Sequence, residues 1–255
     1  MANKVIFMGT GTSSGVPMLG CACEVCTSPD KKDKRFRSSV YVEYEGLKLL
    51  VDCGPDFRSQ MLREDIRHID AILLTHNHKD HTGGLDDVRS FNYFEKRAFP
   101  IYCEEYVQES LKREYSYAFD ENPYPGAPRY ELHTICDRPF EIGGVEIVPV
   151  RALHFTLPVL GFRFGKFGYL TDASKISEES IEKFRGVETF VINAIRFKRH
   201  ISHFTLDQAL EVAAKVGAKQ TYLTHLSHQL PRHEELKKIL PPGVEPAFDG
   251  LRIDF

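Results

Sequence analysis
The stretch "AILLTHNHKDHTGG", residues 71–84, places several metal-binding side chains directly after a short apolar run. The run Ala71–Leu74 predicts a buried strand, and four polar residues follow it within six positions: His76, His78, Asp80 and His81. Ligands on a loop at a strand end can converge because the strand fixes the base of the loop. Imidazole binds zinc, manganese, iron or copper, and a carboxylate can complete or bridge such a site. One histidine alone would be read as a solvated side chain, whereas this cluster predicts a metal site.

Three more histidines or aspartates follow other predicted strands. The strands Val145–Val150, Tyr169–Thr171 and Thr221–Thr224 precede, in that order, His154, Asp172 and His225. Taken singly, Asp172 could cap a turn and His154 could be a core histidine with satisfied hydrogen bonds. Because all four groups follow the C-terminal ends of predicted strands, one face of a sheet can bring them together. We therefore expect a single site.

The remaining patterns predict strands mixed with helices. Further strands are expected at Val5–Met8, Val40–Glu45, Lys48–Val51, Gly161–Phe164 and Phe190–Asn193. Helical periodicity fits best at Asp86–Phe94, Glu105–Tyr115, Ser177–Phe184, Leu206–Val216 and His233–Ile239, with Thr205 as the N-cap of the fourth. Early strands form hairpins and later ones alternate with helices, which favours an α/β sandwich of two mixed β-sheets flanked by helices. No linker or repeat divides the chain, so residues 1–255 are expected to form a single domain.

The order of these histidines and aspartates resembles the signature of the metallo-β-lactamase superfamily over essentially the whole chain. The resemblance implies an αββα sandwich with a two-metal hydrolytic site. It implies that one divalent metal is held by His76, His78 and His154. The other would be held by Asp80, His81 and His225, with Asp172 bridging the two and Asp80 counted among the catalytic residues. Zinc, manganese or iron would each suit such donors.

A further acidic residue, Asp52 in "LLVDCGPD", matches the superfamily's carboxylate behind the histidine loop. Its expected role is to orient a ligand through hydrogen bonds. Two cations roughly 3.5–4 Å apart can lower the pKa of a bridging water to near 7 and polarise the bond that is cleaved. An anionic bridge such as Asp172 favours a closely spaced pair, which suits in-line attack on phosphorus.

A second metal site is indicated by "CACEVC", which supplies Cys21, Cys23 and Cys26 in one short loop. A closed tetrahedral zinc site needs four ligands, and the expected fourth is His228, three residues after His225. A disulfide is the alternative, and it is disfavoured because no secretory signal points to an oxidising compartment. The other cysteines are expected to be buried and apolar in character: Cys53, Cys103 and Cys136.

Together, the early "GTGTSSGVPMLGCACEVC" and the later "THLSH" resemble the branch of the superfamily that opens phosphoribosyl 1,2-cyclic phosphate in the carbon–phosphorus lyase pathway. That branch implies a structural zinc on the three cysteines and His228. The phosphodiesterase relatives, which include the tRNA 3′-processing endonuclease, imply that His203 of "HISHFT" is a general acid. Such a proton donor often contributes about 10²–10⁴ in rate. The other histidines are not expected to be catalytic: His200 near the acid, and His68, His133 and His233 on surfaces or loops.

The favoured function is a dinuclear metal phosphodiesterase acting on a small cyclic phosphate, such as phosphoribosyl 1,2-cyclic phosphate or a 2′,3′-cyclic nucleotide. Three alternatives stay open: a tRNA 3′-processing nuclease, a hydrolase of acyl esters, lactones or thioesters, and a non-catalytic protein of cofactor biosynthesis. The nuclease would need a long grasping arm, and no long Gly- and Pro-rich insertion is evident. Acyl chemistry would not require His203. Bound metal without turnover on any ester would favour the non-catalytic alternative.

Composition bears mainly on partners and location. With 42% hydrophobic residues, 27% charged residues and a net charge of −3, the chain has no long-range attraction to nucleic acid or an anionic membrane. The apolar run Val5–Met8 is too short for a signal peptide or a membrane span, so a cytoplasmic location is expected. The Pro- and Tyr-rich stretch Tyr117–Tyr130 could serve as a substrate lid or as a contact in a homodimer.

Overall fold
The protein, described by a computed structural model over residues 3–255, is a sandwich of two seven-stranded sheets with helices on the outer faces. This confirms the predicted αββα architecture. The early strands are β1 (Lys4–Gly9), β2 (Ser39–Tyr44), β3 (Leu47–Val51), β4 (Ala71–Leu73), β5 (Phe99–Cys103) and β6 (Tyr130–Thr134). The later strands are β7 (Phe140–Ile142), β8 (Val145–His154), β9 (Leu157–Phe164), β10 (Phe167–Leu170), β11 (Thr189–Asn193), β12 (Gln220–Thr224), β13 (Val244–Pro246) and β14 (Arg252–Asp254).

The strand order explains why the site lies at one edge of the sandwich. One sheet runs β14-β1-β2-β3-β4-β5-β6, and the other runs β13-β12-β11-β10-β9-β8-β7. Within the first sheet β3 to β6 are parallel, and within the second β10 to β13 are parallel. The carboxyl ends of parallel strands meet at the same edge of their sheet, so residues that follow β4, β10 and β12 can converge.

The core lies between the two sheets and beneath the helices. Strand β1 is buried on both faces: Val5 and Phe7 pack between the sheets, while Ile6 and Met8 pack on the outer side. This two-residue alternation follows from the strand geometry, in which successive side chains point to opposite faces. Because each face has its own apolar cover, the strand reads as a continuous apolar run in the sequence.

Within residues 3–255, seven α-helices cover the sheets or connect the strands: α1 (Phe57–Arg63), α2 (Lys79–Thr82), α3 (Arg89–Glu95), α4 (Glu105–Glu114), α5 (Glu178–Lys183), α6 (Leu206–Val216) and α7 (His233–Ile239). Helix α6 has the bounds predicted from its periodicity. Thr205 caps it through a reciprocal pair of hydrogen bonds with Gln208, and Gly217 ends it with a left-handed φ of 70°. No helix within residues 3–255 is long and apolar enough to cross a membrane.

Several elements differ from the sequence-based expectation. The helix predicted at Asp86–Phe94 is instead a 3-10 turn at Leu85–Val88 followed by α3. The strand predicted at Gly161–Phe164 is the second half of the longer β9. Strands β5, β6, β7, β13 and β14 and helices α1 and α2 were not predicted, and α2 lies within the stretch that was expected to be a loop.

Candidate metal centre
Both sheets supply side chains to one cluster at the edge of the sandwich. From the first sheet, β4 leads to His76 and His78, and the short helix α2 carries Asp80 and His81. The second sheet supplies three residues at strand ends: His154 closes β8, Asp172 follows β10, and His225 follows β12. The structure therefore brings together all seven residues that the sequence placed at this site.

The first half of the cluster consists of three histidines. The donor atoms of His76, His78 and His154 all lie within 4.8 Å of one another. The ring centroids of His76 and His78 are 4.6 Å apart, and those of His78 and His154 are 5.0 Å apart. His76 and His154 are buried, whereas His78 is exposed and marks the solvent side of the site.

The second half of the cluster is richer in carboxylates. The donor atoms of Asp80, Asp172 and His225 lie within 4.8 Å of one another. His81 Nε2 lies 3.2 Å from Asp80 Oδ2 and 3.3 Å from Asp172 Oδ1. The other oxygen of Asp172, Oδ2, lies 4.0 Å from His76 Nε2. The two oxygens of Asp172 thus face the two halves of the cluster, which is the geometry required of a bridging carboxylate.

The backbone beside this cluster is strained at three places. Asp52, Asp172 and His225 have φ values of 65°, 55° and 54°, in the left-handed region that residues with a Cβ avoid. Each such residue costs roughly 1–2 kcal/mol, and strain of this kind concentrates at functional sites. This left-handed backbone conformation directs the three side chains from the ends of β3, β10 and β12 toward the cluster.

Hydrogen bonds orient the imidazoles from behind. Asp52 Oδ2 accepts from His81 Nδ1 at 2.7 Å, as predicted for a carboxylate supporting the histidine loop. The backbone oxygen of Ser202 accepts from His154 Nδ1 at 2.6 Å. The Thr171 hydroxyl donates to Asp172 Oδ1 at 2.7 Å. Sequence reasoning missed Ser202 and Thr171, because nothing local marks a carbonyl or a strand hydroxyl as the partner of a distant ligand.

The donor set fits divalent cations. Within residues 3–255, the buried Nε2 atoms of His76 and His225 have no hydrogen-bond partner, a costly arrangement unless another group occupies their lone pairs. Burial lowers the pKa of His76 far below its ordinary value and so keeps the ring neutral. Burial opposes the charge of His81 as well, but Asp172 and Asp52 raise the pKa of that ring. A site that draws positive charge onto a buried histidine is one that would hold a cation.

His203 lies against both halves of the cluster. Its ring centroid is 4.5 Å from that of His154 and 4.6 Å from that of His225, and its Nδ1 is 4.0 Å from Asp172 Oδ2. The side chain is nearly buried, and within the described chain its Nδ1 has no hydrogen-bond partner. Burial, followed by the charge of His225, lowers the pKa of His203 to about 2.

The three clustered cysteines form a second group with His228. The sulfurs of Cys21 and Cys23 lie 3.2 and 3.5 Å from His228 Nδ1, and Cys26 completes a set of four donors within 4.8 Å of one another. All six cysteines are free thiols, so the disulfide alternative is wrong for this structure. The hydrogen bonds from the Cys26 backbone and His228 lower the pKa of Cys23 to about 6, which favours the thiolate that a metal requires, whereas burial raises the pKa of Cys26 to about 11.

Two minor expectations are corrected. His233 is buried rather than at the surface, because it packs at the start of α7 with Nδ1 3.4 Å from Arg35 Nη2. Cys136 is half-exposed, whereas Cys53 and Cys103 are buried as predicted.

Comparison with known proteins agrees with this geometry. A model of the beta-lactamase superfamily domain matches residues 48–226. The solved structure of a diphosphatase from the PhnP family shares 42% identity and superposes with a TM-score of 0.92, covering 99% of this chain and 98% of that one. Zinc-bound PqqB from Methylobacterium extorquens superposes with a TM-score of 0.81 at 17% identity, over 99% of this chain and all of that one, which shows the fold alone.

A curated relative is longer than this chain. An octanoyltransferase of Porphyromonas gingivalis is 41% identical over 251 residues, which cover 97% of this chain and 51% of that protein. The chain therefore spans about half the length of this relative.

Proposed function
The chain belongs to the beta-lactamase superfamily and is a metal-dependent hydrolase, and from that premise we propose that it cleaves phosphodiester bonds in small cyclic phosphates. The observation that carries the proposal is the placement of His203. It is a buried imidazole beside both halves of the cluster. Its donor atom lies within 4.8 Å of those of His154 and Asp172, but each half, as assigned below, has its protein ligands without it. A histidine in that position can donate a proton to a departing alkoxide, which is a poor leaving group unless it is protonated.

We assign the ligands as the resemblance implies. His76, His78 and His154 would hold one divalent cation, and Asp80, His81 and His225 the other, with Asp172 shared between them. When bound, a pair of zinc or manganese ions supplies an activated water and neutralises charge on the phosphoryl oxygens. The chain itself fixes the ring orientations through Asp52 and Ser202 and keeps the donors buried.

His203 is assigned as the proton donor. Its burial favours the neutral ring, so a bound phosphate anion must supply the opposing charge that restores the proton. The ring lies beside Asp172 and His154, next to where the bond to the leaving oxygen would break.

A structural zinc is proposed at the second group, on Cys21, Cys23, Cys26 and His228. Four soft ligands in one closed cluster suit zinc, and the cluster has no open position for a substrate. Thiolates persist as ligands only under reducing conditions, which accords with the predicted cytoplasmic location.

A second candidate function is cleavage of a diphosphate bond. The PhnP-family protein that covers nearly all of this chain at 42% identity is described as a diphosphatase. Both reactions displace an oxygen from phosphorus, so the same donors would serve either. Acyl chemistry stays as a third option, because the longer relative is named an octanoyltransferase although only half of it matches this chain.

A paired hydrolysis assay of metal-loaded protein separates these functions. One arm contains phosphoribosyl 1,2-cyclic phosphate, a 2′,3′-cyclic nucleotide and a dinucleoside diphosphate, and the other contains a lactone and a thioester. We expect turnover only in the phosphate arm and a loss of about 10²–10⁴-fold in His203→Ala. Acyl hydrolysis that is indifferent to His203 would overturn the proposal.

A further inference from the structure
Two neighbouring segments carry three of the functional histidines, and hydrogen bonds join the segments to each other. The turn after β12, residues 225–229, contains His225 and His228, and the loop between β11 and α6, residues 194–205, contains His203. The Ser227 hydroxyl donates to the backbone oxygen of Ile195 at 2.6 Å, and the Ala194 N–H donates to that of Thr224 at 3.0 Å. These bonds join the base of the loop to the turn.

Arg196 makes a further connection and also folds the loop. Its Nη1 donates to Gln229 Oε1 at 3.0 Å, which reaches the residue directly after His228. Its Nε donates to the backbone oxygen of Lys198 at 3.1 Å, and its Nη2 donates to that of Arg199 at 2.9 Å. The planar guanidinium thus serves three acceptors at once, a geometry that a lysine ammonium cannot reproduce.

The role of Arg196 differs from what its sequence context suggests. The run "RFKRH" would supply cations for a phosphate, but among the described residues Arg196 pairs with no carboxylate and directs these three donors into its own surroundings. Its backbone oxygen also accepts from the Leu206 N–H at 3.0 Å, so the residue closes the loop just before α6 begins.

The far end of the same loop touches the metal centre. The Ser202 N–H donates to His200 Nδ1 at 3.3 Å, and the Ser202 carbonyl accepts from His154 Nδ1. His203 follows, and the Phe204 N–H donates to the backbone oxygen of Ala173 at 2.7 Å. Residues 196–201 therefore lead directly into the segment that places the ring of His203 beside Asp172.

We infer that Arg196 is a positioning residue that holds His203 at the metal centre and ties its loop to the turn bearing His225 and His228. The inference rests on the proposed function, in which His203 protonates the leaving oxygen. Arg196 is not one of the clustered donors, so its loss should displace the proton donor while the bonds from Ser227 to Ile195 and from Ala194 to Thr224 still hold the turn.

The test compares Arg196→Gln with Arg199→Gln. Both changes remove one positive charge from the same loop, and the Arg199 side chain is exposed and forms no ion pair within residues 3–255. Arg196→Lys keeps the charge and removes the planar fork, and it serves as the second variant should the glutamine protein fold poorly. Each protein is assayed, fully metal-loaded, on a diester with an alkoxide leaving group and on one with a nitrophenolate.

A misplaced proton donor has a distinctive kinetic signature. Nitrophenolate departs without protonation, so Arg196→Gln should lower kcat on the alkoxide diester by about 10–100-fold and on the aryl diester by less than about 3-fold. His203→Ala should show the same selectivity, and the double variant should be no slower than His203→Ala alone. Metal content should match the wild type in all variants. An equal loss on both substrates, or the same loss in Arg199→Gln, would overturn the inference.

Hydrogen exchange provides a readout that does not depend on activity. The amides of residues 197–204 should exchange faster in Arg196→Gln than in Arg199→Gln, because only the former loses the contacts that fold the loop. Unchanged exchange would refute the positioning role. If the wild type turns over no diester at all, the proposed function fails, while the exchange comparison still decides whether Arg196 orders the loop.

Discussion
Replacing Asp52 with asparagine tests whether hydrogen bonds behind the cluster set the metal affinity. Asp52 is fully buried and accepts from three donors: its Oδ2 from His81 Nδ1, its Oδ1 from the Thr75 N–H at 2.9 Å, and both oxygens from the Thr75 hydroxyl. Asparagine is isosteric but has only one acceptor oxygen. The Thr75 hydroxyl can rotate away from residue 52, whereas the Thr75 N–H and the His81 imidazole cannot.

Either orientation of the new amide mismatches one hydrogen-bond partner. If the oxygen faces Thr75, the amide NH₂ faces His81 and forces the proton onto Nε2, the atom that must bind metal. If the oxygen faces His81, the NH₂ opposes the Thr75 N–H, and a buried donor is left unpaired at a cost of about 1–3 kcal/mol. We expect the affinity for one of the two cations to fall about 10–100-fold, or about 1.4–2.7 kcal/mol.

Asp249 offers a matched control. Its side chain is only 7% exposed, and it accepts from the Thr10 hydroxyl, the Phe36 N–H and Arg63 at 2.8, 2.7 and 3.2 Å, with none of the clustered metal donors among these partners. Asp249→Asn should lower the melting temperature but bind both cations as the wild type does. Chelator competition measures the affinities, and calorimetry measures the melting. Wild-type affinity for both cations in Asp52→Asn would refute the reasoning, as would an equal weakening in Asp249→Asn.

Two further predictions concern the second metal group and the buried His233. Cys26→Ser should bind one zinc fewer per chain by elemental analysis. Cys136→Ser, which changes a cysteine outside the cluster, should bind the wild-type number. Equal zinc stoichiometry in the two variants would contradict the four-ligand assignment. Burial, followed by the charge of Arg35, lowers the pKa of His233 to about 4, so its contribution is complete above pH 6.5 and is lost as the pH falls from 6.5 toward 4. His233→Asn keeps an acceptor for Arg35 but cannot titrate. Between pH 6.5 and 4 its free energy of unfolding should therefore fall by less than that of the wild type, and the difference should be at most about 3 kcal/mol. An equal fall in the free energy of unfolding of the two proteins over that pH interval, measured by denaturation, would refute this.

The sequence predicted those parts of the fold whose signals are local. β2 and α6 carry a β-branched run and an amphipathic period with a cap, and both lie where they were expected. β6 and β14 were missed because they are short edge strands, and their pairing partners, not their own residues, make them strands. His233 was placed at the surface for a similar reason, since only the fold brings Arg35 against it.

The same distinction between local and non-local signals applies to the site. The seven clustered donors could be identified because histidines and aspartates after apolar runs are rare enough to stand out in sequence. The groups that orient them could not, because the Ser202 carbonyl is one of many identical backbone atoms. Arg196 was hidden differently: it lies in a basic run to which the sequence assigns no role, and only its three acceptors reveal a structural one.

The two proposed metal groups are linked through one short turn, and the link has a thermodynamic consequence. His225 faces Asp172 with a strained φ of 54°, while three residues later His228 Nδ1 lies beside Cys21 and Cys23. Ordering one residue costs about 1–2 kcal/mol, so a zinc that fixes His228 also removes part of the cost of holding His225 in place. By linkage the effect must be mutual: a zinc bound at the cysteines would strengthen metal binding at His225 by the same factor by which a metal at His225 would strengthen zinc binding in return. Because Ser227 and Gln229 of the same turn anchor the loop of His203, one segment of five residues connects both proposed metal groups with the proposed proton donor.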